Sequence, residues 1–259
     1  MDNKVEYFYE NEYDEEKRLS GECDNRHTVE REVKKYIIES YLPQNGSILE
    51  IGAGTGLYCV YFAQKGYNVS ACDLVPKHVK IIQEKSEKMK LNINACIANA
   101  LEVPFENDYF DIVLLSGPVY HLQDKKDKQK AISEAVRCCR KGGIVVVDYL
   151  SQIHGFIQSA INNEEFLINS SDEDINDLKC EDAIFSFDRP VNMREMLTNA
   201  NLQNIKIYGT DSISRFIKKD LNWFGPSALE KWIKFIIRIS EESSVIELSE
   251  HCLAIGQKR

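Results

Sequence analysis

The sequence predicts an α/β fold, a mostly parallel sheet with helices on both faces, and three observations carry that expectation. Short apolar segments alternate with amphipathic ones from Ser47 to Val147, the rhythm of strand-helix-strand units. Phe110-Asp111-Ile112-Val113-Leu114-Leu115 is a near-continuous apolar run, as suits a strand covered on both faces. Between the first apolar segment and the helical pattern after it lies Gly52-Ala53-Gly54-Thr55-Gly56, a turn whose glycines let the backbone bend sharply.

Residues 1–20 are rich in Tyr and Glu and are expected to form a loosely held N-terminal arm. Val29, Val33, Ile37 and Tyr41 recur every four residues, so 29–42 is an amphipathic helix that Pro43 helps to end. Ser47-Ile48-Leu49-Glu50-Ile51 is the first strand, followed by a helix over 56–65. Strands are expected at 68–72, 93–98 and 110–115, with a helix over 77–90 between the first two of these. A helix over 127–139 presents Ile132, Val136 and Cys139 on one face; Gly142-Gly143 stops it, and 144–147 is a fifth strand.

The rhythm breaks after Tyr149. Residues 163–182, with Ser170-Ser171-Asp172-Glu173-Asp174, are polar and acidic and read as an exposed insertion. A helix at 192–200 and a strand at 205–208 follow, then a second insertion with an amphipathic helix at 226–240. The last strand, 251–255, is expected to pair antiparallel with the one before it. This makes seven strands in one domain spanning 1–259: arm and helix at 1–44, core at 45–150, and inserted lid segments at 151–190 and 211–248.

Of the 259 residues 43% are hydrophobic and 28% charged, enough apolar material for a large core, which excludes a disordered or fibrous chain. Asp and Glu number 41 against 32 Lys and Arg; the net charge of -9 disfavours nucleic acid as a partner. Met1-Asp2-Asn3-Lys4 opens no signal peptide, and no run approaches the roughly 18 apolar residues of a membrane span, so a cytoplasmic monomer or homodimer is expected. The eight cysteines, at 23, 59, 72, 96, 138, 139, 180 and 252, include no C-x-x-C pair; reduced thiols and no metal site are expected.

The glycine turn ends the first strand, where an open parallel sheet has its binding crevice, and Asp73 lies at the end of the second. A carboxylate there can accept both hydroxyl hydrogens of a ribose, which points to a nucleoside-containing cofactor. The spacing is G-x-G-x-G, not the G-x-G-x-x-G of dinucleotide sites, and Glu50 stands two residues before the first glycine. An acid beside the turn opposes a pyrophosphate and suits a cofactor bearing a positive amino group. The alternative is a tight structural turn plus a surface aspartate.

Leu49-Glu50-Ile51-Gly52-Ala53-Gly54-Thr55-Gly56 resembles the first motif of the class I S-adenosylmethionine-dependent methyltransferases. Asp73, Asn99-Ala100-Leu101-Glu102-Val103-Pro104-Phe105, Phe110-Asp111-Ile112-Val113 and Arg140-Lys141-Gly142-Gly143 resemble later family segments in order and spacing. The resemblance implies a Rossmann-like sheet and S-adenosylmethionine as cofactor, with S-adenosylhomocysteine as product. It implies cofactor contacts from Glu50, Gly52, Ala53, Gly54 and Gly56 at the turn, and from Asp73 and Leu74 at the ribose. Asn99, Ala100 and Leu101 would flank adenine, and Ser116 and Gly117 follow the fourth strand. The family usually has an acid where Asn99 stands; its amide oxygen can still accept from the adenine amino group. Gly117-Pro118-Val119-Tyr120-His121-Leu122, residues 14–18 and Arg26-His27-Thr28-Val29-Glu30 are similar to segments of small-molecule members.

Methyl transfer is an in-line displacement that needs alignment, a dry pocket and, for an oxygen or nitrogen nucleophile, a group to take its proton. His121 is the first candidate base, or else a helix-terminal histidine bonded to backbone. Tyr120 and Tyr149 are candidates for the substrate pocket, or packing residues with satisfied hydroxyls. His27 and His154 are further candidates, and Tyr9, Tyr13 and Arg18 are candidate lid residues. Trp223 is either the core of a small helical cap or a stacking platform. The expected activity is methylation of a small molecule; methylation of tRNA or protein, and non-catalytic binding of the cofactor or its product, are the alternatives.

Overall fold

The computed structural model describes residues 2–20, 24–180 and 182–259. Eight strands form one sheet: β1 (Ser47–Ile51), β2 (Asn68–Asp73), β3 (Ile93–Ile97), β4 (Phe110–Leu115), β5 (Cys139–Ser151), β6 (Phe187–Asp188), β7 (Leu202–Gly209) and β8 (His251–Lys258). Their order is β3-β2-β1-β4-β5-β8-β7, with β6 pairing only with the far end of β5. The pairs among β1 to β5 are parallel, while β8 runs antiparallel to both β5 and β7. From β1 the chain moves outward through β2 and β3, then returns to β4 on the other side. This reversal opens a crevice at the carboxyl ends of β1 and β4.

Alternation along the strands divides the core between two faces. Ile48, Ile112, Val146 and Ile255 pack with Val33 and Ile37 of the helix Asn25–Glu39, Phe62 of Leu57–Gln64 and Ile236 of Pro226–Ile239. Leu49, Val113, Val145 and Ala254 face the opposite way, onto Ile132 and Ala135 of Lys125–Cys138 and Met193 and Leu197 of Pro190–Asn199. Fully burying each such aliphatic side chain contributes about 1.5–3 kcal/mol, so the core strands are held from both sides.

The architecture matches the expectation, with differences of detail. The eighth strand, β6, has two residues, too few for any periodicity to show. β5 begins at Cys139, before Gly142-Gly143, so the glycines sit inside a strand and do not stop a helix. They belong to an irregularity: Phe110 pairs with Cys139 but Ile112 with Ile144. A Cβ on Gly143 would lie 2.8 Å from Asp111 O and 2.9 Å from Arg140 O, and Gly142 has φ +73. The first core helix starts at Asn25, capped by the Asp24 carboxylate, which accepts from Arg26 N at 3.0 Å. The N-terminal arm is helical at Asp2–Tyr7 and Glu15–Ser20. Short helices also occupy much of the acidic insertion, at Glu164–Asn169 and Asp172–Asn176.

Among the described residues the cysteines are free; Cys59, Cys72, Cys138, Cys139 and Cys252 are buried, Cys96 and Cys180 partly so, and Cys23 lies outside the described residues. No helix of the described residues is long and apolar enough to cross a membrane.

Candidate active site

The glycine turn is tied to the second strand by backbone hydrogen bonds: Gly52 N and Ala53 N both donate to Cys72 O, at 2.8 and 3.1 Å. Gly52 has φ +76, and a Cβ there would fall 2.5 Å from Ser116 O, so no other residue fits. Gly54, at φ +53, is open toward the cavity and meets only the Glu15 side chain, at 3.6 Å. The Asp73 carboxylate closes the far edge. Its Oδ2 accepts from Gly54 N at 2.7 Å, and its Oδ1 accepts from Val75 N at 2.9 Å and faces His78 Nδ1 at 3.1 Å. Three of about four carboxylate acceptor positions are thus used by the chain itself.

Glu50, Gly52, Ala53, Gly54, Asp73, Leu74, Asn99, Ala100, Ser116 and Gly117 all line one inner cavity at the crevice. Gly56 and Leu101 do not. Gly56 is the left-handed N-cap of the helix Leu57–Gln64, where a Cβ would meet Ile82 at 2.8 Å. Leu101 packs on the core, and its N–H donates to Asn99 Oδ1 at 2.9 Å.

The deep end of the cavity holds charges that the motifs did not reveal. Lys34 and Asp148 form a buried ion pair there, with the ammonium 4.3 Å from the Tyr58 ring centre. Both are distant in sequence from the glycine turn, and Lys34 occupies an ordinary position in a helical pattern. Glu50 Oε2 accepts from Cys59 N at 2.8 Å. Burial pushes the Glu50 carboxyl up to about 8, against the opposing pull of Lys34.

Tyr9 reaches from the arm to the crevice, its hydroxyl 3.0 Å from His121 Nε2. His121 Nδ1 lies 3.1 Å from Ile184 O, so Nδ1 carries the hydrogen and Nε2 accepts from the tyrosine. Burial lowers the imidazole and raises the phenol, which keeps both neutral. His121 is therefore bonded on both ring nitrogens. The arm is also fastened at Lys85, whose ammonium donates to Glu16 Oε2 at 2.8 Å and Thr55 O at 2.9 Å.

Tyr9, Arg18, Tyr120 and His251 line both the inner cavity and a neighbouring outer cleft of about 600 Å³. Tyr13, His27 and His154 line the cleft alone. Tyr149 and Trp223 line neither. Tyr149, in β5, is buried in the core, and Trp223 is 83% exposed on the surface. Trp223 is therefore not the core of a cap; Phe224 packs instead on Trp232, their ring centres 6.0 Å apart. Of the inserted stretch after β7, Arg215 reaches the cleft, while the helix Pro226–Ile239 packs against Asn25–Glu39 on the sheet face.

Arg215 organises the wall between the two spaces. Its guanidinium lies 2.7 Å from Asp211 Oδ2, 2.8 Å from Glu250 Oε2 and 3.1 Å from Glu30 Oε2, with His251 Nδ1 2.9 Å away. Glu30, Asp211 and His251 come close enough to hold a metal ion, but the cation among them is this arginine.

Residues 49–147 match the methyltransferase domain family. The chain is 31% identical over 116 residues to ajmaline N-methyltransferase of Rauvolfia serpentina, a stretch covering 43% of this chain and 37% of that protein. It is 30% identical over 125 residues to a ubiquinone/menaquinone biosynthesis C-methyltransferase of Pectobacterium atrosepticum, covering 46% of this chain and 49% of that one. The match thus spans between a third and a half of these relatives' length. A solved structure from Thermotoga maritima, described as an S-adenosylmethionine-dependent methyltransferase and possible histamine N-methyltransferase, covers 100% of both chains with a TM-score of 0.62 at 16% identity. Residues 49–147 of this chain thus match a methyltransferase domain, and the strand order around them is set in a fold shared with that solved methyltransferase.

Proposed function

We propose that this protein transfers a methyl group from S-adenosylmethionine to a small molecule held in the outer cleft. The observation that carries this reading is the shared wall of Tyr9, Arg18, Tyr120 and His251, which sets an acceptor space directly beside the cofactor space. The inner cavity fits the cofactor: a glycine backbone open at Gly54, a carboxylate at Asp73 and a buried acid at Glu50. In this reading Asp73 holds the ribose, with one acceptor position open and a second gained if His78 turns away. Leu74, Val75, Asn99 and Ala100 flank the adenine, and Glu50 with the Lys34–Asp148 pair receives the amino-acid end. When bound, S-adenosylmethionine supplies a methyl carbon on a positive sulfur.

The chain's own part is to align the acceptor, exclude water and accommodate a proton. The Tyr9–His121 bond closes the crevice against solvent. While that bond holds, His121 has no free lone pair, so its service as a base requires Tyr9 to swing away. A cleft of this volume suits a small molecule. It also counts against a purely cofactor-binding protein, which needs no adjoining space. The test is incubation with S-adenosylmethionine and a panel of small amines, phenols, thiols and carboxylic acids, with mass detection of methylated product. A methylated panel member supports the reading; methyl transfer only to RNA or protein offered in parallel would overturn it.

A further inference from the structure

On the wall of the outer cleft an acceptor without a donor faces a second acceptor. His154 is 2% exposed. Its Nδ1 lies 3.1 Å from Leu248 O, so that nitrogen carries the hydrogen and donates it. Nε2 is then a bare lone pair, buried on the cleft wall without a hydrogen-bond partner. It faces Glu250 Oε2 at 3.7 Å, another acceptor, which already receives Arg215 Nε. Two acceptors cannot satisfy each other, and a buried acceptor without a donor is costly. A hydroxyl brings one hydrogen; a protonated amine brings two or three.

The surrounding charge has the same sense. Glu15, Glu30, Asp211 and Glu250 are linked through Arg18 and Arg215, four carboxylates to two guanidiniums. Glu30 and Asp211 raise the His251 imidazole, and even with His251 charged one negative charge stays unmatched. Burial lowers His154 and keeps it neutral beside them, as an acceptor. Phe166, Phe185 and Phe187 supply an apolar side to the same cleft.

Building on the proposed methyltransferase reading, we infer that the outer cleft selects an acceptor carrying a basic amine, whose N–H groups are received by His154 Nε2 and Glu250. The test uses protein saturated with S-adenosylhomocysteine and three probes of like size: phenethylamine, 2-phenylethanol and phenylacetate. Calorimetry should rank phenethylamine first, by roughly tenfold, with phenylacetate the weakest, since one desolvated charge-assisted bond is worth about that factor. His154→Phe keeps a ring beside Phe216, whose centre lies 5.1 Å away, and removes the lone pair. It should cut the ratio of phenethylamine to 2-phenylethanol affinity at least about fivefold. Glu250→Gln should do the same, which covers the case in which the buried variant fails to fold. Equal affinities for amine and alcohol, the result expected if only a water bridges the pair, would overturn the inference, as would no amine binding or an unchanged preference in both variants. Failure of S-adenosylhomocysteine itself to bind would instead overturn the cofactor reading, and the probe ranking on free protein would still decide the amine selectivity.

Discussion

A carboxyl group buried beside the glycine turn, Glu50, has its ordinary value of 4.5 pushed up to about 8 by burial. Between those pH values the folded chain holds a proton that the unfolded chain has released. The stability this contributes is fully present below pH 4.5 and drains away as pH rises through 8. Glu50→Gln cannot ionise, so its melting temperature relative to the unmodified protein should climb by at least about 2 °C from pH 6 to pH 8.5. A constant difference would remove the buried acid from the account. A cofactor with a positive amino group favours the ionised carboxylate, so S-adenosylhomocysteine should expel a proton near pH 7, seen as a buffer-dependent binding enthalpy. Asp73 makes a separate prediction. Asp73→Ala should weaken S-adenosylhomocysteine by about 1.5–3 kcal/mol, the scale of charge-assisted hydrogen bonds. It should also lower stability, because Gly54 N and Val75 N lose their acceptor. Unchanged affinity by calorimetry would take Asp73 out of the ribose site.

The N-terminal arm, from the helix Asp2–Tyr7 through Glu15–Ser20, covers the inner cavity through single contacts, not through a deep core. Tyr9 to His121, Glu16 to Lys85 and Arg18 to Glu30 are among its fastenings. Each exchanges for water at a cost of about 0.5–1.5 kcal/mol, so the arm opens more readily than the sheet. Limited proteolysis should cut within the arm first, and S-adenosylhomocysteine should slow that cut at least about fivefold. Tyr9→Phe should speed cleavage; equal rates with and without ligand would show that the arm does not cover the cofactor. The arm also shows where sequence reading stops. Its tyrosines were readable as lid candidates, but not which of them reaches the histidine. Elements with strong periodicity were legible to within a few residues. The two-residue β6 and the glycine-bearing irregularity at the start of β5 were not, since each is defined by its partner strand. Lys34, Asp148, Glu30 and Arg215 escaped for the same reason. Glu30 and Lys34 share one helix, Asp148 and Arg215 come from elsewhere in the chain, and the four acquire meaning only once the sheet gathers them.

Across the whole molecule, the part best read from sequence is the part that matches the methyltransferase domain family, residues 49–147. The outer cleft, the proposed acceptor space, is lined mostly from outside that segment: by the arm, by the start of the helix Asn25–Glu39, by 151–190 and by the link between β7 and β8. Trp223 illustrates the difference: a prominent aromatic outside the matched segment lies on the surface, while His154 and Glu250 line the cleft. Cofactor choice can therefore be tested without knowing the acceptor. A ligand at 100 times its dissociation constant adds about 2.7 kcal/mol of stability, which for a chain of this size raises the melting temperature by roughly 5–10 °C. S-adenosylmethionine and S-adenosylhomocysteine should each produce that shift, and NAD none. The acid at Glu50 opposes a pyrophosphate, and the turn lacks the third glycine at dinucleotide spacing. An equal shift with NAD would mean that the cavity reads only the adenosine shared by all three ligands, and that Glu50 and the Lys34–Asp148 pair take no part in selection.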